Sequence, residues 1–447
     1  MGVLLYARSP STNVAMTPTR EIQSEVPRVP QPVLHPNPRT VRVALAGCGV
    51  VGRGLVRLLH ESSPAIAARY GVNFKLTRVL VRDVNRDRCV PLDATLFTND
   101  LDLFLADDAE VVVEALGGDE PARTVASSAL ARGKKFITAN KQLVAAHGES
   151  LAFLADQNET GLDFGAAVGG SAPVISTLRD LVGASTPLSV RGILNGTSNY
   201  VTSLLEEGAT LDGALASACE RGLAEADCAQ DLDGQDAAAK LAIVAWIAFG
   251  IRPRSLNLRR LPLIPGIDRL VDCSAAVGGR LRYVAECIQL AGNRVAASVE
   301  PVVVAANSSF ARTRLEENRV EIDLGWGSPL SISGPGAGSR PTASALLSDL
   351  LRFTPPPNVR GVGGTTFESV PDPRSHRWLI GGIRTDSLRG AAQIAGLTVV
   401  EYDKKGNPFI ITAPLPWASV QRVISTLEAG EERVCVARYA LSTETEQ

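Results

Sequence analysis

Histidine is scarce in this sequence: four residues, none near another, among 447. That argues against a transition-metal site. Cysteine is neither abundant nor patterned. The seven (Cys48, Cys89, Cys219, Cys228, Cys273, Cys287, Cys435) are scattered without metal-ligand spacing. An odd count in a chain without a convincing signal peptide leads us to expect reduced thiols and a cytoplasmic address. Strong charge of one sign is also missing. A formal net charge of −2 gives no reason to expect nucleic acid or an anionic membrane as partner. No window approaches the roughly 18 unbroken apolar residues of a membrane span. What is present, 45% hydrophobic and 21% charged residues, suits a globular protein of two or three domains with large cores.

The first 40 residues are rich in Pro, Ser and Thr, a composition that builds no core, and are expected to be a mobile extension that contributes little to catalysis. Met16 within it offers an alternative start. From "VRVALAG" onward, apolar runs with β-branched residues alternate with helical patterns: "GCGVVGRGLVRLLHESS" (turn and helix), "FKLTRVLVRD", "DLDLFLADDA", "EVVVEAL", "EPARTVASSALARGK" and "KFITAN". Alternation of this kind predicts parallel βαβ units and a doubly wound, Rossmann-type α/β sheet over 41–165, completed by about 325–352. Longer helices and strands predict an α+β domain over 166–324. A Pro/Gly-rich linker over 353–374 leads to a βαββαβ pattern over 375–447, the ferredoxin-like plan of small ACT-like domains.

Gly47, Gly49 and Gly52 form G-x-G-x-x-G between a strand and a helix, with Val50 and Val51 inside the motif. Glycine alone allows so tight a turn and so close an approach of backbone to a pyrophosphate, which then rests on the helix N-terminus. The second strand ends in "VLVRD". Asp83 there suits the ribose 2′-hydroxyl of NAD and Arg82 the 2′-phosphate of NADP; Arg82 comes first, which tilts the reading to NADP. Gly117, Gly118, Asn140 and Lys141 close two further strands, where ligands of such sheets bind. Lys141 also reads as an ordinary solvated lysine at a helix start.

Five carboxylates, Glu225, Asp227, Asp231, Asp233 and Asp236, crowd the approach to "AAAKLAIVAWIAF", a segment apolar all round except for Lys240. Asp233 is expected to cap this helix, with Gly234 at its first position and Asp236 at its third. Capping does not account for Lys240, which shares a face with Asp236 four residues earlier. A lysine in a buried helix is costly unless paired, and burial moves it towards the range useful for proton transfer. A structural ion pair is the alternative.

These residues resemble the homoserine dehydrogenase family. The resemblance covers Val41 to Leu351 and rests on "GCGVVG", "VVVEALGGDEPA", "ITANKQLVA", "AVGGSAPVISTLRD", "RGILNGTSNYV", "GLAEADCAQDLDGQDAAAKLAIVA" and "GPGAGSRPTASALLSD" in that order. It implies reversible NAD(P)-dependent interconversion of L-homoserine and L-aspartate 4-semialdehyde, in threonine, methionine and isoleucine synthesis. It carries the substrate carboxylates to Glu225, Asp231 and Asp236, the acid/base lysine to Lys240 and an assisting lysine to Lys141. The Asn195-Gly196-Thr197 turn, with Thr197 at the substrate, and the Gly334–Gly338 loop, with Gly336 at the coenzyme, should line the same crevice. It further implies a homodimer through a sheet of the second domain and a sodium ion on the backbone carbonyls of Gly165, Val168, Gly170 and Ala172.

Three departures stand out. Family members usually carry Glu at the position of Gly165; Cys228 replaces the proline expected after Asp227; and the tail lacks a D-x-P-G effector signature, so threonine feedback is not expected. An aldehyde-oxidising semialdehyde dehydrogenase would need a cysteine nucleophile near the crevice, and neither Cys48 in the phosphate turn nor Cys228 in the acidic loop is well placed. The other alternative is a coenzyme-binding regulator without catalysis, in which the lysines and acids would have eroded. They are intact.

Overall fold

The computed structural model describes residues 37–354, apart from 224–228, 265–266, 277 and 292–293, and beyond them 375–376, 378–381, 399–402, 408–411, 414–416, 419–422, 425 and 435–438. Nearly all of the N-terminal extension, the linker from 355 to 374, and Glu225, Asp227 and Cys228 therefore lie outside the described residues. By its contacts the chain divides into two compact units, Met1–Thr365 and Thr366–Gln447.

The first unit begins with β1 (Arg39–Ala46), α1 (Val50–Tyr70), β2 (Val72–Leu80), β3 (Phe97–Thr98), α2 (Leu101–Leu105), β4 (Val111–Glu114), α3 (Ala122–Ala131), β5 (Lys135–Thr138), α4 (Lys141–Gln157) and β6 (Leu162–Asp163). The six strands form one sheet in the order β3-β2-β1-β4-β5-β6, every pair parallel. This is the Rossmann arrangement the alternating pattern predicts, and it puts the crevice where the order reverses, beyond β1 and β4. The strands read as continuous apolar runs because both faces are covered. Val43 and Leu45 of β1 join one core with Leu55 and Leu346, while Ala44 and Ala46 join another with Val112 and Phe136. Helix α1 is longer than the stretch ending in "HESS" that the pattern marks; it runs through Pro64 to Tyr70 and ends on Gly71 in the left-handed region. Packing of Ile66 in the core outweighs the one amide that proline removes.

The second half continues with α5 (Val174–Val182), β7 (Ser189–Ile193), α6 (Gly196–Glu206), α7 (Leu211–Glu220), α8 (Ala229–Leu232), α9 (Gln235–Phe249), β8 (Leu258–Arg260), α10 (Ile267–Ala276), β9 (Gly279–Leu290), β10 (Arg294–Ala305), α11 (Ser309–Arg312), β11 (Glu317–Asp323), β12 (Leu330–Pro335) and α12 (Ser339–Arg352). Its sheet has the order β12-β11-β7-β9-β10-β8; β8 and β10 are parallel and the other neighbours antiparallel. Residues of α5, α6 and α9 pack with this sheet in one core. The chain then returns to the first sheet, where α12 lies on α1 and Ser339 Oγ donates to the Val50 carbonyl at 2.8 Å.

In the second unit four strands, β14 (Trp378–Gly381), β15 (Val399–Tyr402), β16 (Pro408–Ile411) and β18 (Cys435–Arg438), make an antiparallel sheet in the order β15-β16-β14-β18. A short pair, β13 (Ser375–His376) with β17 (Leu415–Pro416), accompanies it. The first expected helix of this unit, over 387–396, lies outside the described residues, as does most of the second, over 417–430.

Candidate active site

The glycine turn is built as its spacing requires. A Cβ on Gly52 would fall 2.1 Å from the Gly47 carbonyl oxygen, and one on Gly47 (φ +96°) 2.6 Å from that of Ala115. Gly49 has nothing within 4 Å and opens α1, whose first turn has neither a side-chain cap nor an acidic residue. Its amides remain available to an anion, as a pyrophosphate site needs. A cavity of about 400 Å³ lies there, lined by Gly47, Gly49, Val50, Arg53, Arg82, Asp83, Arg86, Arg88, Ala115 and Leu116 among others. Val51 instead turns its side chain into the core beneath.

Gly117, Gly118, Asn140 and Lys141 stand at the adjoining strand ends, held by a buried carboxylate that the sequence reading overlooked. Glu114, fully buried at the end of β4, accepts from the amides of Leu116 at 2.6 Å and Gly117 at 3.1 Å, and from the Thr138 hydroxyl. Burial raises its pKa against the effect of these bonds. Asn140 caps α4 through Leu143 N and donates from Nδ2 to the Gly118 carbonyl at 2.6 Å. The turn over 116–118 and the start of α4, hence Lys141, are one hydrogen-bonded assembly.

Across from it, α9 carries Asp236 and Lys240. The helix begins one residue later than expected. Gly234 (φ +86°) is its N-cap residue and makes no side-chain cap, and Asp233 accepts from Gln235 N at 2.9 Å from outside the helix. The short α8 before it must reverse at Gly234, a conformation that glycine allows at little cost. Lys240 Nζ donates to Asp236 Oδ2 and to the Leu194 carbonyl, both at 2.7 Å. Lys141 Nζ comes 3.1 Å from Asp236 Oδ1. Asn195, the cap of α6 through Ser198 N, donates its two amide hydrogens to Asp231 at 2.7 Å and Asp236 at 2.8 Å.

The two aspartates are shifted in opposite directions. Burial would raise the Asp236 pKa, but the charges of Lys240 and Lys141, with hydrogen bonds from Lys240 and Asn195, hold it at about 2. Asp231 is pushed up, first by burial and then by the charge of Asp236, although Asn195, Lys240 and Thr197 oppose the shift. Among the described residues Asp231 has no ion-pair partner, so it is a half-buried acceptor suited to an incoming cation. Thr197, whose hydroxyl donates to the Leu223 carbonyl at 2.8 Å, completes this wall. Asp231, Asp236, Lys240, Lys141, Asn195 and Thr197 are thus brought together; Glu225 lies outside the described residues.

Gly336 lies between Asn318 and the loop over 165–172. A Cβ on it would fall 2.2 Å from Asn318, and one on Gly170 (φ +59°) 2.4 Å from the Pro335 carbonyl oxygen. The space that a side chain would need at Gly165 is taken by Asp349, whose Oδ1 would be 2.4 Å from such a Cβ and whose Oδ2 accepts from Ala166 N at 2.9 Å. Burial and the charge of Asp163 push Asp349 up to about 7. No local sequence signal identifies Asn318 or Asp349, because both reach the site only through tertiary packing.

Comparisons with known proteins agree with one another. Family models described as "Homoserine dehydrogenase, NAD binding domain" and "Homoserine dehydrogenase" match residues 47–164 and 173–351. The homoserine dehydrogenase of Mycobacterium leprae is 40% identical over 323 residues, 70% of this chain and 72% of that protein. That of Bacillus subtilis is 32% identical over 337 residues, 74% and 76% of the two chains. The crystal structure of a homoserine dehydrogenase from Thiobacillus denitrificans superposes with a TM-score of 0.66 at 28% identity, covering 90% of this chain and 98% of that one.

Proposed function

Because this chain belongs to the homoserine dehydrogenase family, we propose that it interconverts L-homoserine and L-aspartate 4-semialdehyde reversibly, for threonine, methionine and isoleucine synthesis, with NADP(H) favoured over NAD(H). The single observation that carries the chemical reading is Asp236, held between Lys240 at 2.7 Å and Lys141 at 3.1 Å at the mouth of the dinucleotide crevice.

The nicotinamide ring, when bound, supplies the acceptor or donor of the hydride, so the protein needs no nucleophile. In oxidation the substrate C4 gives up a hydride and its hydroxyl a proton. Lys240 exchanges that proton: the ammonium, held by the Leu194 carbonyl and Asp236, delivers it to the oxygen in reduction, and the amine so formed takes it back in oxidation. Lys141 steadies the partial negative charge on the reacting oxygen. Asp231, lacking a cationic partner among the described residues, receives the substrate ammonium with Glu225, and Thr197 borders the same pocket. Asn195 keeps the two aspartates at fixed separation.

The NADP preference is supported by the cavity beyond β2, which Arg53, Arg82, Arg86 and Arg88 line against the single Asp83. The Asp83 carboxylate already accepts from Asn85 N at 2.9 Å. The sodium reading on Gly165, Val168, Gly170 and Ala172 is supported by a loop that Gly169 (φ +87°) and Gly170 fold tightly, with carbonyl oxygens suited to a hard cation and the Asp349 carboxyl beside them. Exposed Ile288, Leu290, Val303 and Leu330 on strands of the second sheet support a homodimer through that sheet. We assign the Rossmann domain to 41–165 with 325–352, the substrate domain to 166–324, and 375–447 to an ACT-like plan, whose sheet order the second unit supports. Among the described residues no helix is long and apolar enough to cross a membrane; the cytoplasmic address belongs to this proposal.

The test is coenzyme absorbance with aspartate 4-semialdehyde, NADPH and NADH in parallel, on wild type and Lys240→Ala. Semialdehyde-dependent oxidation, faster with NADPH and lost in the variant, is expected. Protein that binds coenzyme yet turns over neither would overturn the catalytic reading in favour of a coenzyme-binding regulator.

A further inference from the structure

Asn318 occupies an inward position on β11 where the alternation calls for an apolar side chain. The next two inward residues of the strand are Val320 and Ile322, and Asn318 itself is 1% exposed. Its Oδ1 is buried without a hydrogen-bond partner, at a cost of about 1–3 kcal/mol to the fold. Core packing therefore does not account for an amide here.

Its neighbours do. Asn318 Nδ2 donates to the Leu194 carbonyl at 3.3 Å, the same oxygen that accepts from Lys240 Nζ at 2.7 Å. On its other side the amide lies flat against Gly336, where a Cβ would fall 2.2 Å from both Cγ and Oδ1. One side chain thus touches the anchor of the acid/base lysine and the backbone of the coenzyme loop. A leucine would leave that carbonyl without its second donor, and a carboxylate would repel it. A side chain longer than the amide would displace Gly336.

We propose that Asn318 is a positioning residue for hydride transfer. It fixes the Leu194 carbonyl, and through it Lys240, relative to the coenzyme loop at Gly336, so that base and nicotinamide keep register. The inference rests on the reading of Lys240 as the acid/base group. It predicts that loss of the amide impairs chemistry rather than binding.

The experiment compares wild type, Asn318→Leu, Asn318→Asp and Lys240→Ala. It measures thermal midpoint, NADPH affinity by its fluorescence, kcat and KM for homoserine, and the solvent deuterium isotope effect on kcat. For Asn318→Leu we expect a midpoint near wild type, since removal of an orphaned polar atom offsets the tighter fit of two methyl groups, and NADPH affinity within about threefold. We expect kcat to fall about 10- to 100-fold, as for a small misplacement of a reacting group, with KM little changed and a larger isotope effect. Asn318→Asp, of the same size, should lose at least as much and serves if the leucine variant does not fold. Wild-type kcat and isotope effect in either folded variant, or a loss confined to the midpoint, overturns the proposal. If Lys240→Ala is dead while both Asn318 variants turn over normally, only this inference fails. Turnover by Lys240→Ala at the wild-type rate removes the Lys240 reading and this inference with it.

Discussion

Lys141 and Asp236 meet at 3.1 Å, although one opens a helix after a Rossmann strand and the other stands in the first turn of α9. Their ion pair is the point at which the end of the Rossmann sheet and the wall of Asp231, Asp236 and Lys240 share a charge. Lys141 is about one-third exposed and Asp236 nearly buried, so the pair is not an ordinary surface bridge. Replacing Lys141 with Ala should leave coenzyme binding within a few-fold and lower kcat by about 10²-fold, the usual worth of a positioned polar group in the transition state. Steady-state kinetics in both directions check this; a change in KM alone would make Lys141 a binding residue only.

The charge on Asp236 makes part of the stability depend on acid. Its pKa is lowered from 3.8 to about 2, so its ionised form stabilises the fold at every pH above the unfolded value, and that contribution is lost as pH falls towards 2. The pH-dependent part amounts to about 2 kcal/mol. The stability gap between wild type and Asp236→Asn should be flat above about pH 4 and shrink between about pH 4 and pH 2. Denaturant melts across that range read it directly.

Asp231 gives the opposite sign. Burial and its like-charged neighbour raise its pKa, so ionisation works against the fold, and that penalty grows as pH rises from the unfolded value through the folded one. Asp231→Asn should therefore raise the thermal midpoint of the ligand-free protein near pH 8. The same change should raise KM for homoserine about 10- to 100-fold, because an amide cannot neutralise an ammonium. Stabilisation without loss of substrate affinity would remove Asp231 from the ammonium site.

The ease of reading the sequence follows the range of the forces involved. The parallel sheet is visible because runs such as "EVVVEAL" must be apolar on both faces, and the phosphate turn because Gly47, Gly49 and Gly52 recur at a short fixed spacing, with Gly52 packed on the Gly47 carbonyl. The Asp236–Lys240 pair is visible at a spacing of four. Asn318 and Asp349 are not, since each acts on residues over a hundred positions away. Glu114 is an intermediate case: a lone acid ending a valine run, whose partners Leu116 and Gly117 are local but whose partner Thr138 comes near only when β4 and β5 pair. The displaced start of α9 has a similar cause, because a contact from β9 favours glycine where the local pattern suggests an ordinary first turn.

That contact yields a further prediction. Gly234 sits at φ +86°, and a Cβ on it would fall 2.1 Å from the Tyr283 hydroxyl oxygen. The hydroxyl cannot simply swing away, for it donates to the Leu261 carbonyl at 2.8 Å, and burial pushes its pKa up to about 12, so it stays a neutral donor. Gly234→Ala combines a left-handed backbone, about 1 kcal/mol or more, with overpacking of about 1–3 kcal/mol. A loss of about 2–4 kcal/mol is expected by denaturant titration. Tyr283→Phe should restore part of it, since the clash is with the hydroxyl and the backbone strain remains. If the double variant is no more stable than Gly234→Ala, the backbone conformation alone sets the start of α9, and Tyr283 has no part in holding Asp236 and Lys240 in place.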